Sequence, residues 1–180
     1  MTYETETKVL NVDKEEVVCT LEKLGASKIL DTRFVVDWFW TPGTEEGKEP
    51  WYLRIRSTRQ GICEITWKGK SSPLGASRSH QEINITVSSH QAAADFLQAI
   101  GLQLYAHQEK DRTSWTHKDW KFDLDQCPGM PAYLEIEGKS EAHIQEALKL
   151  LGLEKNVTSS EGERILIQKT FGLDWYTMKF

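Results

Sequence analysis

Apolar and polar residues alternate at every second position along most of the chain, and the period lengthens to a helical one in three places. In WYLRIRST (51–58) Leu53 and Ile55 alternate with Arg54 and Arg56. In ICEITWKG (62–69) Cys63, Ile65 and Trp67 alternate with Glu64, Thr66 and Lys68. Successive side chains of a strand point to opposite faces, so each segment predicts a strand with one apolar and one charged face. The same pattern runs through QEINITVS (81–88), where Glu82 and Asn84 oppose Ile83 and Ile85. It returns in WKFDLD (120–125), where Lys121, Asp123 and Asp125 oppose Trp120, Phe122 and Leu124, and in AYLEIEG (132–138), where Glu135 and Glu137 oppose Leu134 and Ile136. At the start of the chain Glu4, Glu6 and Lys8 share one face. Strands are also predicted over 28–40, rich in β-branched and aromatic residues, and over 103–116, where Lys110 and Arg112 share a face.

The helical stretches carry their own punctuation. Asp13 caps 14–24, Ser89 caps a helix through Ala99, and Ser140 precedes Ile144, Ala147, Leu148 and Leu151 before Gly152. Polar, Gly- and Pro-rich loops are expected over 41–50, 70–79 and 158–163, followed by a short tail. Arg59-Gln60-Gly61 and His117-Lys118-Asp119 connect hairpins. Strands dominate, and no β-α-β alternation calls for a parallel sheet, which makes the fold class α+β with an antiparallel sheet.

Charge sharpens this picture. Amphipathic helices need the apolar strand faces, so the charged faces are left open to water or turned inward. A sheet of seven or eight strands that closes on itself loses its exposed edges and makes the charged faces a lumen. Buried charges are tolerated when acids, bases, metal and an anionic ligand neutralise one another. The acids Glu4, Glu6, Asp125, Glu135 and Glu137 are hard oxygen donors of the kind that hold Mg2+ or Mn2+. The bases Lys8, Arg54, Arg56, Lys68, Lys110, Arg112 and Lys169 suit a polyanion, and Glu64, Glu82 and Asp123 complete the inward set. A metal-bound triphosphate satisfies both halves.

Composition narrows the class further. At 180 residues, 39% hydrophobic and 27% charged, the chain suits one folded domain spanning 1–180. It carries no long apolar run and no signal-like start, so a cytoplasmic protein with no membrane partner is expected. Cys19, Cys63 and Cys127 show no metal or redox spacing and read as free thiols. A net charge of −5 argues against nucleic acid as a partner.

The motifs resemble one family. E-T-E-T-K at 4–8 is similar to the E-x-E-x-K signature of the CYTH superfamily, the triphosphate tunnel metalloenzymes. The likeness continues in order through L-R-I-R (53–56), I-T-W-K-G (65–69), Q-E-I-N (81–84), K-D-R (110–112), Asp125, L-E-I-E-G (134–138) and Q-K-T-F near the end. The resemblance implies an eight-stranded antiparallel closed β-barrel, a triphosphate tunnel with helices packed outside. It implies divalent metal on Glu4, Glu6, Asp125, Glu135 and Glu137. It further implies triphosphate held by Lys8, Arg54, Arg56, Lys68, Lys110, Arg112 and Lys169, with Lys68, Glu4 and Glu6 in catalytic roles. Two departures stand out. Many members carry Asp-x-Tyr after the first helix, whose phenol works with the lysine at the Lys68 position. Here the stretch is Asp37-Trp38-Phe39, which leaves Lys68 alone, or water on the metal, as base. Asn84 stands where an acid is common.

The activity implied is metal-dependent hydrolysis of inorganic, nucleoside or thiamine triphosphate, by a monomer or homodimer. Class IV adenylyl cyclase chemistry, giving cyclic AMP and pyrophosphate, is the alternative. A non-catalytic polyphosphate or nucleotide binder is the second alternative. The aromatics Trp38, Trp40, Trp51 and Trp67 are candidates for stacking on a base or for packing in the core.

Overall fold

The computed structural model describes residues 2–44, 48–49, 51–70 and 72–180. Eight strands close into an antiparallel barrel: β1 (Thr2–Val9), β2 (Ser27–Trp40), β3 (Trp51–Thr58), β4 (Cys63–Gly69), β6 (Ser77–Val87), β7 (Gln103–His117), β8 (Trp120–Gln126) and β9 (Tyr133–Gly138). Around the barrel the order is β1-β9-β8-β7-β2-β3-β4-β6 and back to β1. β1 closes the ring by pairing its first half with β6, Glu6 opposite Arg78, and its second half with β9, Lys8 opposite Glu135. Two short strands, β5 (Ser72–Leu74) and β10 (Thr158–Ser159), extend β6 and β1.

The helices pack outside, as the alternation requires. α1 (Lys14–Lys23) and α3 (Glu141–Leu151) bury Val17, Leu21, Ile144, Ala147 and Leu148 against Phe122, Leu124, Leu134 and Ile136. α2 (His90–Ala99) lays Ala93, Ala94 and Leu97 on Phe39 and Ile55. Each fully buried Val, Leu, Ile or Phe among these contributes roughly 1.5–3 kcal/mol. Asp13, Ser89 and Ser140 cap the three helices, accepting the backbone N–H of Glu16, Ala92 and His143 at 2.9, 3.2 and 3.2 Å. Gly152 ends α3 in the left-handed region, φ 71°, which a residue without Cβ adopts at little cost.

Two expected loops are more ordered than their composition suggests. Within 70–79 the chain forms the β5–β6 hairpin about Gly75, and β6 begins at Ser77 rather than at 81. Within 158–163 Thr158 and Ser159 pair with Val9 and Lys8. The tail is structured as well: a short helical turn α4 (Glu163–Ile165) runs into a π-helical turn (Leu166–Thr170) and then a 3-10 turn (Trp175–Thr177). Leu166, Ile167 and Trp175 are buried with Phe34, Val36 and Trp38. No helix among the described residues is long and apolar enough to cross a membrane.

Candidate functional site

The inward faces enclose a cavity of about 330 Å³. Glu4, Glu6, Lys8, Arg54, Arg56, Lys68, Glu82, Lys110, Arg112, Glu135 and Glu137 all line it, as the alternation predicts. Their register follows from the pairing of three staves, with Glu6 opposite Glu137 and Glu135 opposite both Lys8 and Asp123. Acids from β1, β8 and β9 therefore converge.

Two groups of carboxylates have oxygens within 4.8 Å of one another: Glu4, Glu6 and Glu137, and Asp123, Glu135 and Glu137. Asp123 Oδ1 is buried with no hydrogen-bond partner among the described residues. An orphaned carboxylate oxygen within a cluster of acids fits a hard divalent cation. Glu137, shared by both groups, has its pKa pushed up to about 7 by burial and by the charges of Asp123, Glu4 and Glu135, against the pull of Lys121. A cation there would relieve that repulsion.

Asp125 stands apart from this cluster. It lies fully buried behind the lining, and both its oxygens are taken: Arg112 donates to Oδ1 and Oδ2 at 2.5 and 2.6 Å, and Lys110 donates to Oδ2 at 2.9 Å. These cations overcome the effect of burial and hold its carboxyl below the usual range. Asp123, whose other oxygen accepts from Arg112, is the β8 acid left with a spare oxygen, and Asp125 belongs to neither carboxylate group.

Lys68 sits in a cage of acceptors. Its ammonium is 2.5 Å from Glu82 Oε2, 2.9 Å from His80 Nε2 and 3.4 Å from Glu4 Oε2. Burial alone would favour the neutral amine, but the charges of Glu6 and Glu82 raise its pKa above the usual value, so Lys68 stays an ammonium. The same group of Glu4, His80 and Glu82 could coordinate a metal, and the lysine occupies that position as its cation.

The cations of β3 are less satisfied. Arg54 makes no hydrogen bond or ion pair with the described residues, its Nε is buried and unpartnered, and its guanidinium carbon lies 5.6 Å from the Trp38 ring. Arg56 pairs with Glu64 at 3.0 Å, yet burial and the neighbouring charges of Arg54 and Arg112 bring its pKa down to about 10. Crowded guanidinium groups, one of them without an acid partner among the described residues, suit an anion.

Some residues fall elsewhere than expected. Lys169 is exposed on the π-helical turn and lies outside the cavity lining, because that turn directs Leu166 and Ile167 inward instead. Glu64 is also outside the lining, turned to Arg56. Phe39 is buried beneath α2 on the outer face, so a phenol at that position would not reach the lumen. Tyr52 and Tyr105 both line the cavity, and Tyr52 lies directly across the β3–β4 ladder from Lys68.

Other lining groups were not among the predicted site residues. Arg78 donates from Nε to Glu6 at 2.7 Å, and Lys121 donates to Glu137 at 2.8 Å. Glu163 enters from the C-terminal turn, accepting from Lys110 at 2.6 Å and from the Tyr133 hydroxyl at 2.7 Å. Arg164 ties that turn to Glu49 at 3.1 Å. Arg78 and His80 continue the two-residue spacing backward from Glu82, a signal hidden by the Ser and Gly around it. Of the four tryptophans considered for stacking, Trp38 and Trp51 line the cavity, Trp40 stacks on Tyr105 at 4.7 Å, and Trp67 borders a separate surface pocket.

Similarity to known proteins agrees with the barrel fold. A protein of Methanocaldococcus jannaschii described as a candidate adenylate cyclase is 28% identical over 149 residues, which cover 82% of this chain and 83% of that one. A structure from Pyrococcus horikoshii OT3 superposes with a TM-score of 0.74 at 20% identity, covering 93% of this chain and 99% of the other. A candidate adenylyl cyclase from Hippeastrum, described as having a dominant triphosphatase activity, superposes with a TM-score of 0.63 at 12% identity, covering 96% of each chain. Residues 2–165 match the CYTH domain, and the chain belongs to the CYTH family.

Proposed function

We propose that this protein hydrolyses triphosphate-bearing substrates within the tunnel, with a divalent cation, Mg2+ or Mn2+, held by Glu4, Glu6, Asp123, Glu135 and Glu137. The observation that carries this reading is the unpartnered Arg54, beside the crowded Arg56 guanidinium, in a closed lumen that also gathers a carboxylate cluster. The lumen's own acids and bases are present in comparable number, so a polyanion enters with least disturbance when metal accompanies it. The metal, when bound, withdraws charge from phosphate oxygens.

The chain's own residues do the rest. Arg54 and Arg56 grip phosphate oxygens, bidentately where geometry allows, and Lys8 adds a point charge. Lys110 and Arg112, locked by Asp125, keep that wall in place. Lys68, an ammonium in its cage, stabilises charge developing on the transferring phosphoryl group rather than acting as base. Cys19, Cys63 and Cys127 are free, which suits a reducing cytoplasm.

The test is product analysis after incubation with inorganic triphosphate and with ATP, in Mg2+ or Mn2+ and in chelator. Metal-dependent orthophosphate release is the expected result. Cyclic AMP with pyrophosphate would establish the second reading, cyclisation, which the likeness to the Methanocaldococcus jannaschii protein favours. Absence of both turnover and triphosphate binding would overturn the assignment.

A further inference from the structure

The outside of the barrel is finished differently on its two sides. α1 and α3 meet over β8 and β9 and bury the apolar faces there. On the other side α2 lies over β3, with β4 and β7 beside it. β4 turns Cys63, Ile65 and Trp67 outward, and the ladder sets Val87, Ile85 and Ile83 of β6 opposite them. Cys63 is buried beneath α2, and Ile65 and Val87 pack partly against Ala93, Ala94 and Leu97. The helix covers no more than this edge: Ile83 is 39% and Ile85 56% exposed.

α2 carries a second apolar stripe. Ala92, Phe96 and Ile100 recur at every fourth residue beside the buried Ala93 and Leu97, and Phe96 and Ile100 are each 60% exposed. The helix runs along β2. His90 at its start lies 2.8 Å from Asp37, and β7 begins just past its end, with Gln103 opposite Trp40. A right-handed helix laid this way, with Ala93 and Leu97 down, turns Phe96 and Ile100 toward β4 and β6 and its polar flank, Gln91 and Gln98, toward β7. Helix stripe and sheet thus form the wall and floor of one apolar step.

The step is also uncharged. Asp95 is the one Asp, Glu, Lys or Arg among the ten residues of α2, whereas α1 has Lys14, Glu15, Glu16, Glu22 and Lys23 in the same length. None of the six outward residues of β4 and β6 is charged. A membrane surface would call for a basic rim, and a charged partner for charge of opposite sign. A neutral face meets its own copy without Coulomb cost, while the net charge of −5 carried elsewhere disfavours contact through other surfaces. Depletion of charge is the mark of an interface core.

Area points the same way. At about 200 Å² for a fully open side chain of this size, Ile83, Ile85, Phe96 and Ile100 leave on the order of 400 Å² of apolar surface at the exposures above. A twofold contact uses the patch twice. At about 65% apolar area for a homodimer, that implies roughly 1,200 Å² in total, the lower end of a stable interface. We propose that this face is the docking surface for a second copy of the chain, related by a twofold axis, with the Phe96–Ile100 stripe of each copy seated on Ile83 and Ile85 of the other.

The experiment is sedimentation equilibrium of the full chain over roughly 1–100 μM, where mass action makes a dimer of this size visible. The expected species has twice the mass of the 20.7 kDa chain. Ile85→Glu and Phe96→Lys change exposed side chains, and each alone should weaken association tenfold or more. Mixed in equal amounts, the two should associate more tightly than either alone. In the mixed dimer one contact pairs Glu with Lys and the other is wild type, an arrangement that only the twofold exchange of stripe and floor allows. Val157→Glu, at a position 66% exposed next to β10, should leave the dimer intact. A wild-type chain that stays monomeric throughout would overturn the inference without recourse to any variant. So would a dimer that Ile85→Glu and Phe96→Lys leave unchanged, one that Val157→Glu disrupts equally, or a mixture no tighter than its components.

Discussion

Arg112 and Arg54 are the same residue type on the same lumen face, on β7 and β3 with β2 between them, and they are treated in opposite ways. Arg112 is bound by Asp125, Asp123 and Glu135, and those acids raise its pKa against the cost of burial. Arg54 has no ion-pair partner among the described residues, and its Nε is orphaned. A guanidinium whose acceptors are all supplied by the fold is part of the scaffold. One left wanting acceptors waits for a ligand.

The comparison breaks or sharpens most at Asp125. Replacing it with Ala strands the buried Arg112 and Lys110, so unfolding by urea should show a loss of about 3–5 kcal/mol. A loss below about 1 kcal/mol would mean that this corner is not a scaffold. Arg54→Ala should behave in the contrary way. Turnover of triphosphate should fall roughly 10²–10³-fold, as for a lost charge-stabilising donor, with urea stability within about 0.5 kcal/mol of wild type, as for a site free of native partners. Equal stability losses for the two variants would erase the distinction.

A third prediction concerns pH. In metal-free protein Glu137 keeps its proton up to about pH 7, whereas its ordinary value is 4.5. The folded state therefore binds more protons than the unfolded chain between those values, and stability falls as pH rises from about 4.5 to 7. The contribution of this one group is about 3 kcal/mol. Glu137→Gln should flatten that part of a denaturation–pH profile taken in chelator, and excess Mn2+ should remove the slope in wild type by favouring the ionised carboxylate. A wild-type slope unmoved by either change would take Glu137 out of the cluster. The smallest effect belongs to Lys169→Ala. Exposed and outside the lining, it should leave triphosphate affinity within about twofold and stability within about 0.5 kcal/mol; a tenfold loss of affinity would return it to the site.

The alternation of residues was the readable part of the site. Arg54, Arg56 and Lys68 each follow an apolar neighbour, and a pleated strand can place them on one side only, so the residue order alone puts them in a shared lumen. Partnership was not readable in this way. Asp123 and Asp125 have the same face and spacing in the sequence, and only the approach of Lys110 and Arg112 from β7 decides which carboxylate keeps a free oxygen. Lys68 reads as a candidate base until Glu82 and His80 close around it. Arg78 was lost because hairpin residues looked like a loop, and Glu163 because a helical turn, not a strand, delivers it.

By itself the sequence determined the long alternating strands and their faces, the three caps and the chemistry of the lumen, because period, cap and side-chain type are local properties. It also determined family membership, since the ordered motifs stand in this chain as written. Tertiary structure decided which charges cancel, which remain open, and that Trp175 from the C-terminal tail lines the cavity. Those outcomes depend on distances between residues far apart in the chain, and a Coulomb interaction or a hydrogen bond changes its meaning within an ångström or two.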